Sequence, residues 1–134
     1  MTETPLPPHE PREVGHGWRN VSYITWIAVA ACMIAITITS RTVGRSVWWL
    51  GPSTQPRPFF FLLIPLVIVA IPFFYTSKSL WLMAKASTAS SLLLLATCIP
   101  DISSSPGVAA AVGVVGIAAL AESIALVMVT RHYR

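Results

Sequence analysis

Four unbroken apolar blocks divide this chain, and they decide what it can fold into. They run from Tyr23 to Ser40, Pro58 to Tyr75, Leu80 to Ile99 and Gly107 to Val129, with 18, 18, 20 and 23 residues. At helical rise such blocks reach about 27 to 35 Å, enough to cross a hydrocarbon layer of about 30 Å. In lipid every backbone N–H and C=O must find a partner within the segment, so each block is expected to be a helix. No alternating barrel pattern is present. The composition agrees. Charged residues make up 10% of the 134, against about 25% in soluble domains. Mean hydropathy is +0.69. The expected fold is an all-α integral membrane protein. Four transmembrane helices form an antiparallel bundle, with an interfacial segment between the first two.

The blocks set the boundaries. Residues 1–22 read as a disordered or extended tail, since Pro5, Pro7, Pro8 and Pro11 stand among Glu3, Glu10 and Glu13. It does not read as a signal peptide. The spans are then 23–40, 58–75, 80–99 and 107–129, with 130–134 as a C-terminal tail. In 41–57, Val43, Val47 and Leu50 recur at helical spacing, with Arg41 and Arg45 on another side. That is an amphipathic interfacial pattern. The third span is the most polar, with Lys85, Ser87, Thr88, Ser90 and Ser91 in its first half. Hydroxyls can return to the preceding carbonyls, which lowers their cost in lipid.

Lysine and arginine bias orients the helices. Arg12, Arg19, Lys78, Lys85, Arg131 and Arg134 fall on one side of a four-span chain, and Arg41, Arg45 and Arg57 on the other. Six against three puts both termini in the cytoplasm and the chain in the cell membrane. Tryptophans mark the two interfaces: Trp18, Trp26 and Trp81 as inner anchors, Trp48 and Trp49 as outer ones.

A formal charge of +4 and a pI of about 9.6 do not point to nucleic acid here, because the basic residues are dispersed along the chain. Cys32 and Cys98 lie at different depths and read as small packing residues. No metal-ligand spacing, nucleophile elbow, phosphate loop or carboxylate pair occurs, so no enzyme, metal or cofactor is expected.

The residue that stands out is Glu122, an acid inside the fourth block. Such groups usually face a partner or a water cavity. Lys85 enters the third block to a similar depth from the same side, so the two form a candidate membrane-buried ion pair. Ala109, Gly113, Gly116 and Ser123 provide a small packing face on the fourth helix, and Ala28 and Cys32 one on the first. Few functional polar groups and several packing faces point to a non-catalytic accessory or scaffolding subunit of a larger membrane complex. The alternative is a small oligomeric proton- or cation-coupled transporter or channel using Glu122. Expected partners are membrane lipids and other membrane subunits or further copies of the chain. Residue usage rich in Ala, Val and Arg without lysine runs has a bacterial style.

Overall fold

The computed structural model describes residues 15–52 and 54–132. Among them there is no strand. The order is α1 (Gly15–Thr42), α2 (Phe60–Thr76), α3 (Leu80–Thr97), a single turn α4 (Asp101–Ser104) and α5 (Pro106–His132). Three of these, α1, α3 and α5, are long and apolar enough to cross a membrane; α2 is apolar but has 17 residues.

The helices share one pattern. On α5 the buried residues are Ala109, Val112, Gly116, Ala119, Ser123, Leu126 and Thr130, at alternating steps of three and four. Met83, Ser87, Ser90, Leu94 and Thr97 of α3 follow the same rhythm, as do Ser22, Trp26, Val29 and Met33 of α1. This 3.5-residue repeat is the seam of helices packed nearly in line. Contacts of Ser91 with Ser123 and of Leu95 with Gly116 run in opposite directions along α3 and α5, so these two helices are antiparallel. Helix α1 packs on α2 and α5, and α2 on α3, closing the ring.

Polarity is inverted relative to a soluble bundle. Ser22, Ser87, Ser90, Ser91 and Ser123 are fully buried, while Ile24, Ile34, Phe60, Leu66, Val114 and Met128 are each more than 60% exposed. Apolar side chains on this scale belong against lipid.

Two expectations change. Helix α1 begins eight residues before Tyr23, so residues 15–22 are helix, not tail. The cause is packing: Trp18 lies on the Met83, Ala84 and Leu126 cluster, and Ser22 enters the seam. The tail assigned to residues 1–14 lies outside the described residues. The 41–57 connection is not an amphipathic helix beyond Thr42. It turns at Gly44 and Gly51, both with positive φ, and folds over the end of the bundle. Val47 and Trp49 are buried there, whereas Val43 is exposed. The cap is latched by hydrogen bonds. The Trp48 N–H donates to Asp101 Oδ1 (3.0 Å), its indole Nε1 to the Thr97 carbonyl (2.8 Å), and the Ser105 hydroxyl to the Ser46 carbonyl (3.0 Å).

Candidate functional site

The bundle interior carries a ladder of hydroxyls, built because the seam positions are serine where a soluble core would have leucine. Trp26 Nε1 of α1 donates to Ser87 Oγ of α3 at 3.1 Å. Ser91 of α3 and Ser123 of α5 share a hydrogen bond at 3.1 Å. Each of these hydroxyls also lies within hydrogen-bond reach of the carbonyl four residues back, at 2.7 and 2.8 Å, so with one proton apiece one serine donates to its carbonyl while the other donates across to its neighbour. These bonds tie three helices together.

Glu122 borders this ladder. It is the residue before Ser123, about 100° around α5 and turned towards α1. The Ser22 hydroxyl interacts with its carboxylate. The contact falls short of ordinary hydrogen-bond geometry: both Glu122 oxygens, Ser22 Oγ and Ser90 Oγ are buried without a bond that meets it. Polar atoms left in that state typically cost about 1 to 3 kcal/mol each.

Lys85 does not supply the counter-charge. It is exposed, and its Nζ lies over the Trp81 ring, 4.6 Å from the centroid. This is a cation–π contact one helical turn away, on the face of α3 opposite the seam. The two residues therefore do not form the pair suggested by their depths.

The remaining expected residues divide. Ala109, Gly116 and Ser123 lie in the α3–α5 seam. Gly116 matters most there, since a Cβ on it would meet Leu95 Cδ2 at 2.7 Å and Cγ at 2.9 Å. Gly113 is partly exposed, and among the described residues no atom of a neighbouring helix lies within 4 Å of where its Cβ would lie. Ala28 and Cys32 are exposed, as are Ala31 and Ala35. On α5, Ala110, Ala118 and Ala121 are exposed as well. Of the five tryptophans, Trp26 and Trp49 are core residues at 1% exposure rather than lipid-facing anchors. Trp48 is half-buried in the cap, because its indole N–H has a carbonyl to reach. Trp18 and Trp81 are half-buried at the opposite end.

Two groups escaped the sequence reading. The sequence places Ser22 at the end of the expected tail, although it stands four residues before Trp26, one step along the same seam. Asp101 falls between the third and fourth apolar blocks, yet it is fully buried. Burial pushes its carboxyl above the usual carboxylate range, against the Trp48 N–H and the charge of Arg57, which both lower it. Its role is to hold the cap.

Among the described residues no group of His, Cys, Asp and Glu is arranged to hold a metal. Cys32 and Cys98 are free thiols, the latter bonded to the Leu95 carbonyl at 2.9 Å. Comparison with protein-family models, with characterised proteins and with solved structures finds no match.

Proposed function

We propose that this chain is a non-catalytic accessory subunit of a larger assembly in the cell membrane. It crosses four times, with both termini on the cytoplasmic side. Helix α2 would span about 26 Å by helical rise. A shortfall of a few ångströms costs only fractions of a kcal/mol per Å. The observation that carries the reading is the small-residue flank of α1. Ala28, Ala31 and Cys32 are exposed in the middle of a 28-residue apolar helix. Small side chains let another helix backbone approach closely, which is what drives association in lipid.

The test uses the native thiol of Cys32. In native membranes, oxidative or bifunctional thiol cross-linking should join Cys32 to one foreign subunit at fixed stoichiometry. Ala31→Leu should abolish the product without lowering the melting temperature of the purified chain. Recovery of the chain alone, with no cross-link at Cys32, would defeat the proposal.

A second reading rests on Glu122, a carboxylate whose two oxygens have no hydrogen-bond partner among the described residues, bordered by Ser22 and Ser123. In that reading it accepts a proton or small cation during transport. Proteoliposomes holding the purified chain would then carry a flux that Glu122→Gln abolishes, and such a result would replace the first reading.

A further inference from the structure

A groove opens between α1 and α2. It is lined on one side by Ala30, Ile34 and Thr37, on the other by Pro65, Leu66 and Ala70, and has a volume of about 430 Å³. That lies within the range of about 300 to 1,000 Å³ of pockets that enclose a small organic ligand. Its lining is almost wholly apolar, and the exposed Ile34, Ile38 and Leu66 place its opening towards lipid. The groove exists because Ala30, Ala70 and the ring of Pro65 are small where the flanking positions are bulky. Trp49 of the cap closes one end.

Charge gathers at that same end. Arg41 is exposed and continues the groove face of α1, being four residues after Thr37 and seven after Ile34. Arg57 stands just before α2, its guanidinium 5.4 Å from the ring of Phe61, which adjoins the lining residue Leu62. Arg45 is exposed nearby, in a small pocket shared with Arg41. The one acid at this end among the described residues is Asp101, which is buried, accepts from the Trp48 N–H and lies within electrostatic reach of Arg57, so Arg41 and Arg45 leave this end with a net positive charge. An apolar slot headed by cations fits a molecule with an apolar tail and an anionic head.

We propose that the α1–α2 groove is a binding site for one anionic phospholipid. An acyl chain lies along Ala30, Ile34, Pro65 and Ala70, and the phosphate sits at Arg41 and Arg57. The guanidinium fork suits phosphate oxygens. The site is on the opposite flank of α1 from Ala28 and Cys32, so it stands whether or not a partner subunit docks there.

The test is native mass spectrometry of the full-length protein in detergent micelles, titrated with phosphatidylglycerol or phosphatidylcholine of identical chains. One phosphatidylglycerol should be retained in preference to phosphatidylcholine. Each juxtamembrane arginine typically contributes about a 5-fold gain for anionic lipid. Arg41→Gln and Arg57→Gln should therefore each weaken it about 5-fold, and the pair about 30-fold. Lys78→Gln, on the opposite side of α2, should leave it unchanged. Ala70→Phe fills the groove without entering the core and should reduce retention of both lipids. Equal retention of the two lipids by the native protein would overturn the proposal. So would full phosphatidylglycerol binding in the double arginine variant, or competition by glycerol phosphate at the lipid's own concentration. Protein dimers that vanish with Ala70→Phe would make the groove an interface between copies instead.

Discussion

Gly116→Ala asks whether α3 and α5 approach as closely as the seam requires. The new Cβ would stand 2.7 Å from Leu95 Cδ2 and 2.9 Å from Leu95 Cγ. Carbon atoms in contact settle near about 3.5 to 4.0 Å, so about 1 Å must be found. Leu95 is half-buried, and its Cδ2 can swing towards lipid, but its Cγ moves only with a new χ1 rotamer. Overpacking of this kind costs about 1 to 3 kcal/mol. Replacing glycine by alanine inside a helix returns up to about 1 kcal/mol. The net expectation is a loss of about 0 to 2 kcal/mol, too broad to decide anything alone. The double-mutant cycle decides it. In a Leu95→Ala background the obstructing atoms are gone, and the same Gly116→Ala step should become stabilising by up to about 1 kcal/mol. The assay is reversible unfolding in mixed micelles, followed by the fluorescence of the buried Trp26 and Trp49. If the step costs the same in both backgrounds, within about 0.5 kcal/mol, Gly116 and Leu95 do not touch and the seam is wrong.

Gly113→Leu, three residues away, should leave the melting of the isolated chain unchanged, because nothing lies within 4 Å of that position; a loss seen only in native membranes would place a partner there. Ser87→Ala removes the acceptor of the Trp26 indole and should cost about 0.6 to 1.7 kcal/mol, the range of interhelical hydrogen bonds in lipid, measured by the same unfolding assay. Asp101→Ala orphans the Trp48 N–H and should cost about 1 to 3 kcal/mol, whereas Asp101→Asn keeps an acceptor and should cost less. Burial raises Asp101, so the folded chain keeps that proton at a pH where the unfolded chain has lost it. The stability involved is present in acid and lost as pH rises through the raised value. The native protein should therefore lose ground to Asp101→Asn as pH increases, and melting curves drifting the other way would refute this. A cysteine at Ser104 should react with an impermeant thiol reagent from outside the cell, and one at Thr4 should not.

The existence of the helices was legible, because blocks of this length and hydropathy leave the backbone no alternative in lipid. Their rotation was much less so. In water the apolar face of a helix points inward, and the pattern can be read directly. In lipid the solvent is as apolar as the core, so Ile24 and Val29 carry the same signal though one is exposed and the other buried. The information lies instead in the small and hydroxylic residues. Ser22, Ser87, Ser90, Ser91 and Ser123 all point inward, and on α5 the small and hydroxylic residues Gly116, Ala119 and Ser123 follow the step of three and four that identifies the seam. The cap was hidden for a different reason. Val47 and Trp49 are buried through turns at Gly44 and Gly51 and a latch to Asp101, contacts across about fifty residues that no local spacing reveals.

Lys85 and Glu122 show what depth alone leaves open. Counting residues from the ends of the apolar blocks gives the two similar heights, but the contact of Ser91 with Ser123 sets a register in which Lys85 lies six residues, about 9 Å of helical rise, from the level of Ser123. A contact also needs the right azimuth. Lys85 follows Met83 by two positions, about 200° of rotation, while Met83 and Ser87 lie one helical turn apart on a common face. If the serines face the bundle, Lys85 must face away, and the serines do face it. There its stem can lie along the helix and its ammonium can settle on Trp81, within reach of the headgroups, whereas a place in the seam would bury its charge between helices. Glu122 has no such escape. Its shorter side chain lies about 15 Å from the end of α5 by helical rise, too far to reach the interface. The chain therefore exports its lysine and retains its carboxylate, and the hydroxyl of Ser22, one seam step before Trp26, is the group it turns towards that acid.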